Sequence, residues 1–527
     1  MRRFRLPSPS LVDILFLCLA LAVPLGRAEV LLNSDGDLGR HLRVGEYILA
    51  NGWLRTDVFS FTKFGQPFVG YEWLSEVLFA LVYRIGGLPL VAVACGLLIA
   101  GTYALVVALL LRRGVDPLLA YLTGFVAAIL GSLHWLARPH LFTLLGVLIV
   151  MGLLEPREPG GRRPLWFFVA LFALWANLHG GFLFGLVLIA LYLLGSLAEA
   201  LVADTERERW LRTARYYGMA LGLAAVGTLI NPYGPRLLWH VIAWFRNSYV
   251  IDHTHEYLSP NFHLLSGKLT LGVLLLLFTA LALSRRRPPF PRLLVILATI
   301  AAALIYQRNI PLLALTALPV LALHLDPEWR ALPDWRGIRG TFQRESPGRK
   351  TGAWSVAVTV VLLLLSVSAS PFARMQVIPR DWHPDIFPVE ATAKARRAGL
   401  TGRIYNEFFW GGYLLKEWPE QRVFIDGQTD FYGDDLMRQH ARIHVLDPGW
   451  RELLRRWEID LVLMPSRERL PHELARDPSW RIWHCDSTAV ILRRDSAPAP
   501  RADADSAEAE LFRCAPPVRN EAEEPGD

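Results

Sequence analysis

The sequence is poor in charge and poor in cysteine. Only 20% of its 527 residues are Asp, Glu, Lys or Arg, while 53% are hydrophobic. A mean hydropathy of +0.30 is too apolar for a soluble enzyme of this length. The apolar residues are gathered into runs long enough to cross a bilayer, and those runs hold almost no charge. No internal repeat is visible and no Cys/His spacing resembles a zinc site. The net charge of +7 has no concentrated patch behind it, because the basic residues sit in short loops between apolar runs. That distribution excludes a nucleic-acid partner. Of the four cysteines, Cys18 and Cys95 lie in apolar runs and read as small packed hydrophobes. Cys485 and Cys514 lie in the tail, where a disulfide and two free thiols are both open.

What is present is an alternation of two kinds of loop. One kind is rich in Arg: Arg112-Arg113, Arg162-Arg163, residues 206–215, Arg285-Arg286-Arg287, and 330–350. The other carries Asp, His, Asn and Trp with scattered Arg. Basic loops stay in the cytoplasm, so the second kind faces out. The expected fold is a polytopic α-helical membrane protein of about eleven spans, N-terminus in and C-terminus out, with a C-terminal extracytoplasmic α/β domain. The spans are expected near 10–27, 88–111, 117–134, 140–154, 165–178, 181–202, 214–230, 268–284, 291–306, 309–325 and 353–371. The start, Met1-Arg2-Arg3-Phe4-Arg5 before an apolar stretch, also fits a signal peptide cleaved near Gly26. An uncleaved first span is the preferred reading, and either choice places the next loop outside.

The expected domains are a membrane domain over 1–371, an α/β domain over 372–495 and a disordered tail over 496–527 rich in Ala, Pro, Glu and Asp. The first outer loop, 28–87, belongs to the membrane domain in this reading. Residues 38–51 have the spacing of an amphipathic helix lying in the membrane interface, and 73–85 form a second helix. Residues 231–267 make another long outer loop, and 326–352 an inner one. In the α/β domain, strands are expected at 402–407, 422–427 and 460–464, with a hairpin over 480–493. Helices are expected at 390–398, from Trp410, and at 434–445 and 450–457.

Five polar constellations stand on the outer side. Asp35 and Asp37, beside His41, follow the first span. Two carboxylates one residue apart can bind a divalent cation through oxygen, or one can act as general base. The plainer reading is a cap on the helix that starts near Leu38. Glu72 closes the same loop before Trp73, as a second carboxylate or as a helix-start acid beside an interfacial Trp. Short turns carry Arg138-Pro139-His140, Asn177-Leu178-His179, Asn231-Pro232-Tyr233-Gly234 and Gln307-Arg308-Asn309. Four such turns on one face suggest a polar cavity mouth, in which Arg138 and Arg308 would meet a phosphate or pyrophosphate. Snorkelling is the alternative for each. Asp252-His253-Thr254-His255-Glu256 offers a His-x-His pair without further ligands, and reads as a surface loop. Trp410-Gly411-Gly412-Tyr413 and Phe424-Ile425-Asp426-Gly427 combine close-approach glycines, aromatic rings and carboxylates suited to a sugar. Packed aromatics in a turn account for them equally well.

These residues carry a resemblance. Asp35-x-Asp37-x-Gly39-x-His41, Asp57-x-Phe59-Ser60-Phe61-Thr62, Gly65-x-Pro67 and Glu72-Trp73-Leu74 are similar to the first outer loop of a bacterial multi-span family. The turns at Arg138-Pro139-His140 and Asn231-Pro232, and the Trp410 and Asp426 segments, share the likeness. That family resembles the GT-C glycosyltransferases. The resemblance implies a sugar donor linked to polyprenyl phosphate and a catalytic Asp just after the first span, here Asp37 or Asp35, with Asp37 preferred. It implies a divalent cation (Mg or Mn) on Asp35 and Asp37 in some members only, and a second metal-binding carboxylate pair is not evident. The expected function is transfer of a sugar to a glycan, lipid or protein acceptor at the outer face of the cytoplasmic (inner) membrane. Substrate contacts are expected from His41, Glu72, Arg138, His140, His179, Asn231, Arg308, Trp410 and Asp426. The rival functions are a transporter or flippase for lipid-linked glycans and a non-catalytic assembly protein. Charge-poor spans and the lack of a repeat argue against a transporter.

Overall fold

The computed structural model describes residues 8–155, 164–203, 205–244, 248–334, 337–345, 352–367, 378–495 and 514. The tail expected over 496–527 lies outside these, Cys514 excepted, as do Arg162, Arg163 and Lys350. The chain divides into two compact units. One contains Met1–Leu31, Tyr71–Arg246 and Ile251–Ile378. The other contains Leu32–Gly70, Asn247–Val250 and Pro379–Asp527.

The first unit is helical. Leu11–Gly26 starts at a capping box, in which Ser10 and Asp13 satisfy each other's backbone N–H groups. Trp73–Arg112 joins the two helices expected at 73–85 and 88–111. The helix breaks at Gly86 and Gly87, and Gly87 has φ 64°. Then come Pro117–Gly131, His140–Leu154, Trp166–Leu178, Phe182–Val202, Arg207–Thr228, Leu265–Leu283, Phe290–Ile305, Ile310–Ala331 and Ala353–Ser366. Among the described residues, five helices are long and apolar enough to cross a membrane: Trp73–Arg112, Pro117–His134, Phe182–Val202, Leu265–Leu283 and Gln307–Ala331. Five more are apolar but shorter.

Two stretches read as loops contain helix. The long loop holds Pro235–Ala243 and Ser248–His253. Residues 326–352 begin inside Ile310–Ala331 and hold Ile338–Glu345. Arg330 pairs with Asp326 at 2.8 Å and extends the former helix. Asp334 accepts the N–H groups of Arg339 and Gly340, at 2.9 Å each, at the start of the latter. Cys95 is buried as expected, whereas Cys18 is exposed on its helix.

The second unit is built on a four-stranded sheet: β1 (Ile404–Asn406), β2 (Leu461–Pro465), β3 (Trp480–Cys485) and β4 (Ala489–Arg494), in the order β1-β2-β4-β3. β1 and β2 are parallel, and β4 is antiparallel to β2 and to β3. Val389–Arg397, Gly411–Glu417, Thr429–His444, Trp450–Arg456 and Arg469–Ala475 are helices. Tyr405, Phe424, Val462, Met464, Val490 and Leu492 lie at the heart of its core. Cys485 and Cys514 are disulfide-bonded.

The strand expected over 422–427 is not in this sheet. Val423 instead exchanges backbone bonds with Phe59 and Phe61, at 3.1 Å each. The Asn406 side chain accepts the Phe424 N–H at 2.9 Å and donates to the Ile425 carbonyl at 3.0 Å. An amide side chain thus fills the place of a strand partner.

Candidate functional site

In the helical unit, the two arginines read as anion ligands meet. Arg138 stands between the 3-10 turn Ser132–His134 and helix His140–Leu154. Arg308 lies in the 3-10 turn Gln307–Asn309, which links Phe290–Ile305 to Ile310–Ala331. Both turns cap the ends of apolar helices, where an Arg is held by backbone geometry. Glu256 receives both. Arg308 Nη1 is 3.1 Å from Oε1, and Arg138 Nη1 is 3.3 Å from Oε2. His134 Nε2 is 3.7 Å from Oε2. All four side chains are mostly shielded, Glu256 being 20% exposed.

The segment carrying Glu256 is tied to the Arg308 turn. The Gln307 N–H donates to the Leu258 carbonyl at 2.9 Å. The Gln307 side chain donates to the His255 carbonyl. The Arg308 guanidinium lies 4.5 Å from the centre of the Tyr257 ring and donates to its hydroxyl. Burial pushes the Glu256 carboxyl up, but Arg308, Arg138 and His134 outweigh it and hold it at about 2. The cluster is therefore an anion seat with a carboxylate in it.

A second cluster in the same unit orders a histidine. Gly181 N–H donates to His179 Nδ1 at 2.9 Å, and Thr143 Oγ1 lies 2.7 Å from the same nitrogen. A backbone N–H can only donate, so Nδ1 is the acceptor and the proton of the neutral ring sits on Nε2. That nitrogen lies 3.5 Å from Glu72 Oε1. Trp175 Nε1 donates to Thr143 Oγ1 at 2.9 Å and fixes the far end. Glu72 is the residue before helix Trp73–Arg112. The helix start is pinned by Ser75, whose hydroxyl donates to the Leu178 carbonyl at 2.7 Å, and by Trp73, whose indole donates to Asn177 at 2.8 Å. The arrangement can hold or pass a proton at Nε2. His140 is spent on its own turn, 3.0 Å from the His134 carbonyl. So is Asn231, whose amide bonds the Thr228 carbonyl at 2.7 Å, the Gly234 carbonyl at 3.2 Å and the Tyr233 N–H at 2.7 Å.

In the sheet unit, Asp35 and Asp37 stand at the start of helix Asp37–Asn51. Asp35 Oδ1 accepts the Asp37 N–H at 3.2 Å, but Gly36 holds the N-cap position and no side chain caps the helix there. The Asp37 carboxylate fills the space where Gly427 would carry a Cβ. The helix buries Leu38, Gly39, Arg40, His41 and Leu42. Its backbone meets that of Gly411–Glu417 where Gly39 faces Gly412, and neither position has room for a Cβ. Protein, not lipid, therefore covers that face of the helix. Lys416 pairs with Glu46 at 2.6 Å further along.

Asp426 is 3% exposed and fully engaged. Oδ1 lies 3.4 Å from Arg40 Nε and accepts the Gln428 N–H at 2.8 Å, while Oδ2 accepts the Tyr432 hydroxyl at 2.8 Å. Trp410 is 3% exposed, with its indole on the Ile386 carbonyl at 2.8 Å. Both lie in packing of the sheet unit. Asp57 is buried as well. Burial raises its carboxyl above the ordinary range, and hydrogen bonds from Ser60 and Phe59 oppose the rise.

Sequence reasoning missed Glu256, Glu76, Thr143 and Arg40. Glu76 follows Glu72 by one helical turn and is 1% exposed, a spacing that signals a shared face. Thr143 and Arg40 had no local signal.

No known family's sequence profile matches the chain, and neither does any curated protein. Solved structures do match. The oligosaccharyltransferase AglB from Archaeoglobus fulgidus, in complex with an inhibitory peptide and a dolichol-phosphate, is 12% identical. The match covers 95% of this chain and 77% of AglB with a TM-score of 0.53. The same organism's enzyme in complex with Zn and sulfate is also 12% identical, covering 92% and 73% with a TM-score of 0.51. ArnT from Cupriavidus metallidurans is 17% identical over 93% of this chain and 99% of its own, with a TM-score of 0.43. These neighbours are GT-C glycosyltransferases, and the AglB matches show that the chain has their fold: mostly helical, with several apolar helices and a small sheet unit.

Proposed function

We propose that this chain is an integral-membrane glycosyltransferase that moves a sugar from a polyprenyl-phosphate donor to an acceptor outside the cytoplasmic membrane. About eleven spans with an outer C-terminus fit the Arg-rich loops to the cytoplasmic side. The outer α/β domain over 372–495 would bind the acceptor. The observation that carries the reading is the meeting of Arg138 and Arg308 on one anion, at the ends of apolar helices. A glycosyl phosphate donor leaves an anion to be held there, and guanidinium groups match phosphate oxygens.

In the transfer, an acceptor hydroxyl or amine attacks the anomeric carbon. The bond from that carbon to the phosphate oxygen breaks, and its electron pair stays on the polyprenyl phosphate. The acceptor's proton passes to a carboxylate, for which Asp37 is the first choice and Asp35 the second. Arg138 and Arg308 stabilise the charge that grows on the leaving phosphate. Glu72 and the His179 it faces at 3.5 Å supply a second place for a proton.

Asp35 and Asp37 offer only carboxylate oxygens, a donor set that fits Mg or Mn. Such an ion would supply positive charge beside these carboxylates. A lipid-linked donor agrees with the dolichol-phosphate in one AglB structure, and the acceptor class stays open between glycan, lipid and protein.

The test is sugar transfer in membranes carrying each variant at matched levels of folded protein. Asp37→Asn keeps shape, removes charge and is expected to abolish transfer, with a smaller loss for Asp35→Asn. Normal transfer by Asp37→Asn and loss by Asp35→Asn would reverse the assignment. Normal transfer by both would end the catalytic reading of this segment.

A further inference from the structure

The Glu256 carboxylate already occupies the seat that the proposed function assigns to a phosphate. It takes one nitrogen from Arg308 and one from Arg138, with His134 close by. A phosphate entering between the two guanidinium groups would need the same directions. Only one of the two anions can hold both arginines.

The charges make this competition selective. With Glu256 in place, the two arginines and the carboxylate sum to one net positive charge, which suits a phosphodiester with its single negative charge. With Glu256 withdrawn, the sum is two, which suits a phosphomonoester dianion. A polyprenyl-phosphate sugar is a diester and its leaving group is a monoester. The seat's charge therefore follows the reaction if the carboxylate yields as the bond to the sugar breaks.

The geometry of Glu256 leaves it able to yield. Its contacts are single-point rather than forked, at 3.1 and 3.3 Å, beyond the short range of strong charge-assisted bonds. It sits in the short 3-10 turn His255–Tyr257, which follows the six-residue helix Ser248–His253. That turn has few backbone bonds: Tyr257 N–H to Thr254 and Leu258 N–H to His255, at 2.9 and 3.2 Å. Burial opposes ionisation, but Arg308 and Arg138 outweigh it, so Glu256 competes as an anion.

We infer that Glu256 is an internal counter-anion, displaced by the leaving polyprenyl phosphate, which makes the arginine seat selective for the monoester over the diester. The inference rests on the proposed role of Arg138 and Arg308. It adds that an interaction made only as charge develops accelerates transfer, while equal grip on donor and product would not.

The experiment uses the full chain in lipid nanodiscs at pH 8, where a monoester is a dianion because its second ionisation lies near about 6. The probes are farnesyl phosphate and its methyl ester, a diester of equal chain length. The wild type is expected to prefer the monoester. Glu256→Gln keeps the shape, removes the competitor and is expected to tighten farnesyl phosphate by about tenfold or more. Glu256→Asp keeps the competing charge on a shorter arm and should tighten farnesyl phosphate less than Glu256→Gln. In the wild type, farnesyl phosphate should speed amide hydrogen exchange across 254–258, a readout that does not depend on any variant folding.

Unchanged or weaker binding by Glu256→Gln, while Arg308→Ala still loses it, would overturn the inference and leave the seat standing. So would slower exchange across 254–258 on binding. Binding that is indifferent to Arg138→Ala and Arg308→Ala would overturn the seat and this inference together.

Discussion

Glu155 and Glu256, both in the helical unit, are each gripped by arginine, and the grips differ. Glu155 takes both arms of Arg292, Oε1 from Nε at 3.0 Å and Oε2 from Nη2 at 2.8 Å. The Tyr192 hydroxyl adds a bond to Oε1 at 2.8 Å. Those groups come from helices Phe290–Ile305 and Phe182–Val202, and from the residue after His140–Leu154. The fork is a rivet between three helices. Glu256 takes one nitrogen from each of two arginines in two turns, and no fork forms. A forked pair specifies geometry, whereas a shared single-point pair can exchange its anion. The residue types alone do not separate the two; the directions of the nitrogens do.

Removing each carboxylate gives the largest contrast. Glu155→Ala strands a buried guanidinium and is expected to cost about 3–5 kcal/mol, seen as a fall in the thermal unfolding midpoint in detergent. Glu256→Gln keeps the shape and the acceptor oxygen while removing the charge, and should cost about 1–3 kcal/mol, less than Glu155→Ala, in the same measurement. Equal losses would erase the distinction. Exchanging Arg for Lys sharpens it. Arg292→Lys loses one arm of the fork and should cost about 1–3 kcal/mol. Arg308→Lys keeps a point charge and should move stability by about 0.5 kcal/mol or less.

These contrasts also show what was legible in the sequence. The helices were readable because the apolar runs are long, and Gly86-Gly87 marked the break in the longest of them. Arg138 and Arg308 stood out because each lies in a turn at a helix end. Glu256 did not, because its partners are 118 and 52 residues away. Alone, Asp252-His253-Thr254-His255-Glu256 reads as a surface loop with a weak metal pattern.

The sheet unit has the same lesson. Val423 reads as strand from its alternation, but its backbone partners lie far back in the sequence, at 59–61. Residues 38–51 read as an amphipathic helix, but its pairing with helix Gly411–Glu417 was invisible at that distance in sequence. Gly411 and Gly412 were the signals of close approach; Gly39, which faces Gly412, was not read as one. Asp426 reads as a ligand until Arg40 and Tyr432 are seen to take its oxygens.

Acidity gives the smallest effect. The folded Glu256 carboxyl sits at about 2 against an ordinary 4.5. A depressed carboxyl contributes stability that is full above the ordinary value and is lost as pH falls through the folded one. The stability difference between wild type and Glu256→Gln should thus stay constant from pH 7 to 5. It should shrink only below about 4.5. A change between pH 7 and 5 would show that a group other than Glu256 sets the difference.

Release of polyprenyl phosphate by the purified full chain in detergent tests the central claim most directly, because no gradient exists there and a transporter has nothing to do. The chain is incubated with a polyprenyl-phosphate sugar, candidate acceptors, and Mg or Mn, and the freed lipid phosphate is measured. The account predicts release that falls by about one to two decades in Arg138→Ala and in Arg308→Ala, for a lost charge-assisted bond of about 1.5–3 kcal/mol. Binding of the lipid-linked sugar with no release, for any acceptor and either metal, would contradict it and leave a carrier or assembly protein in its place.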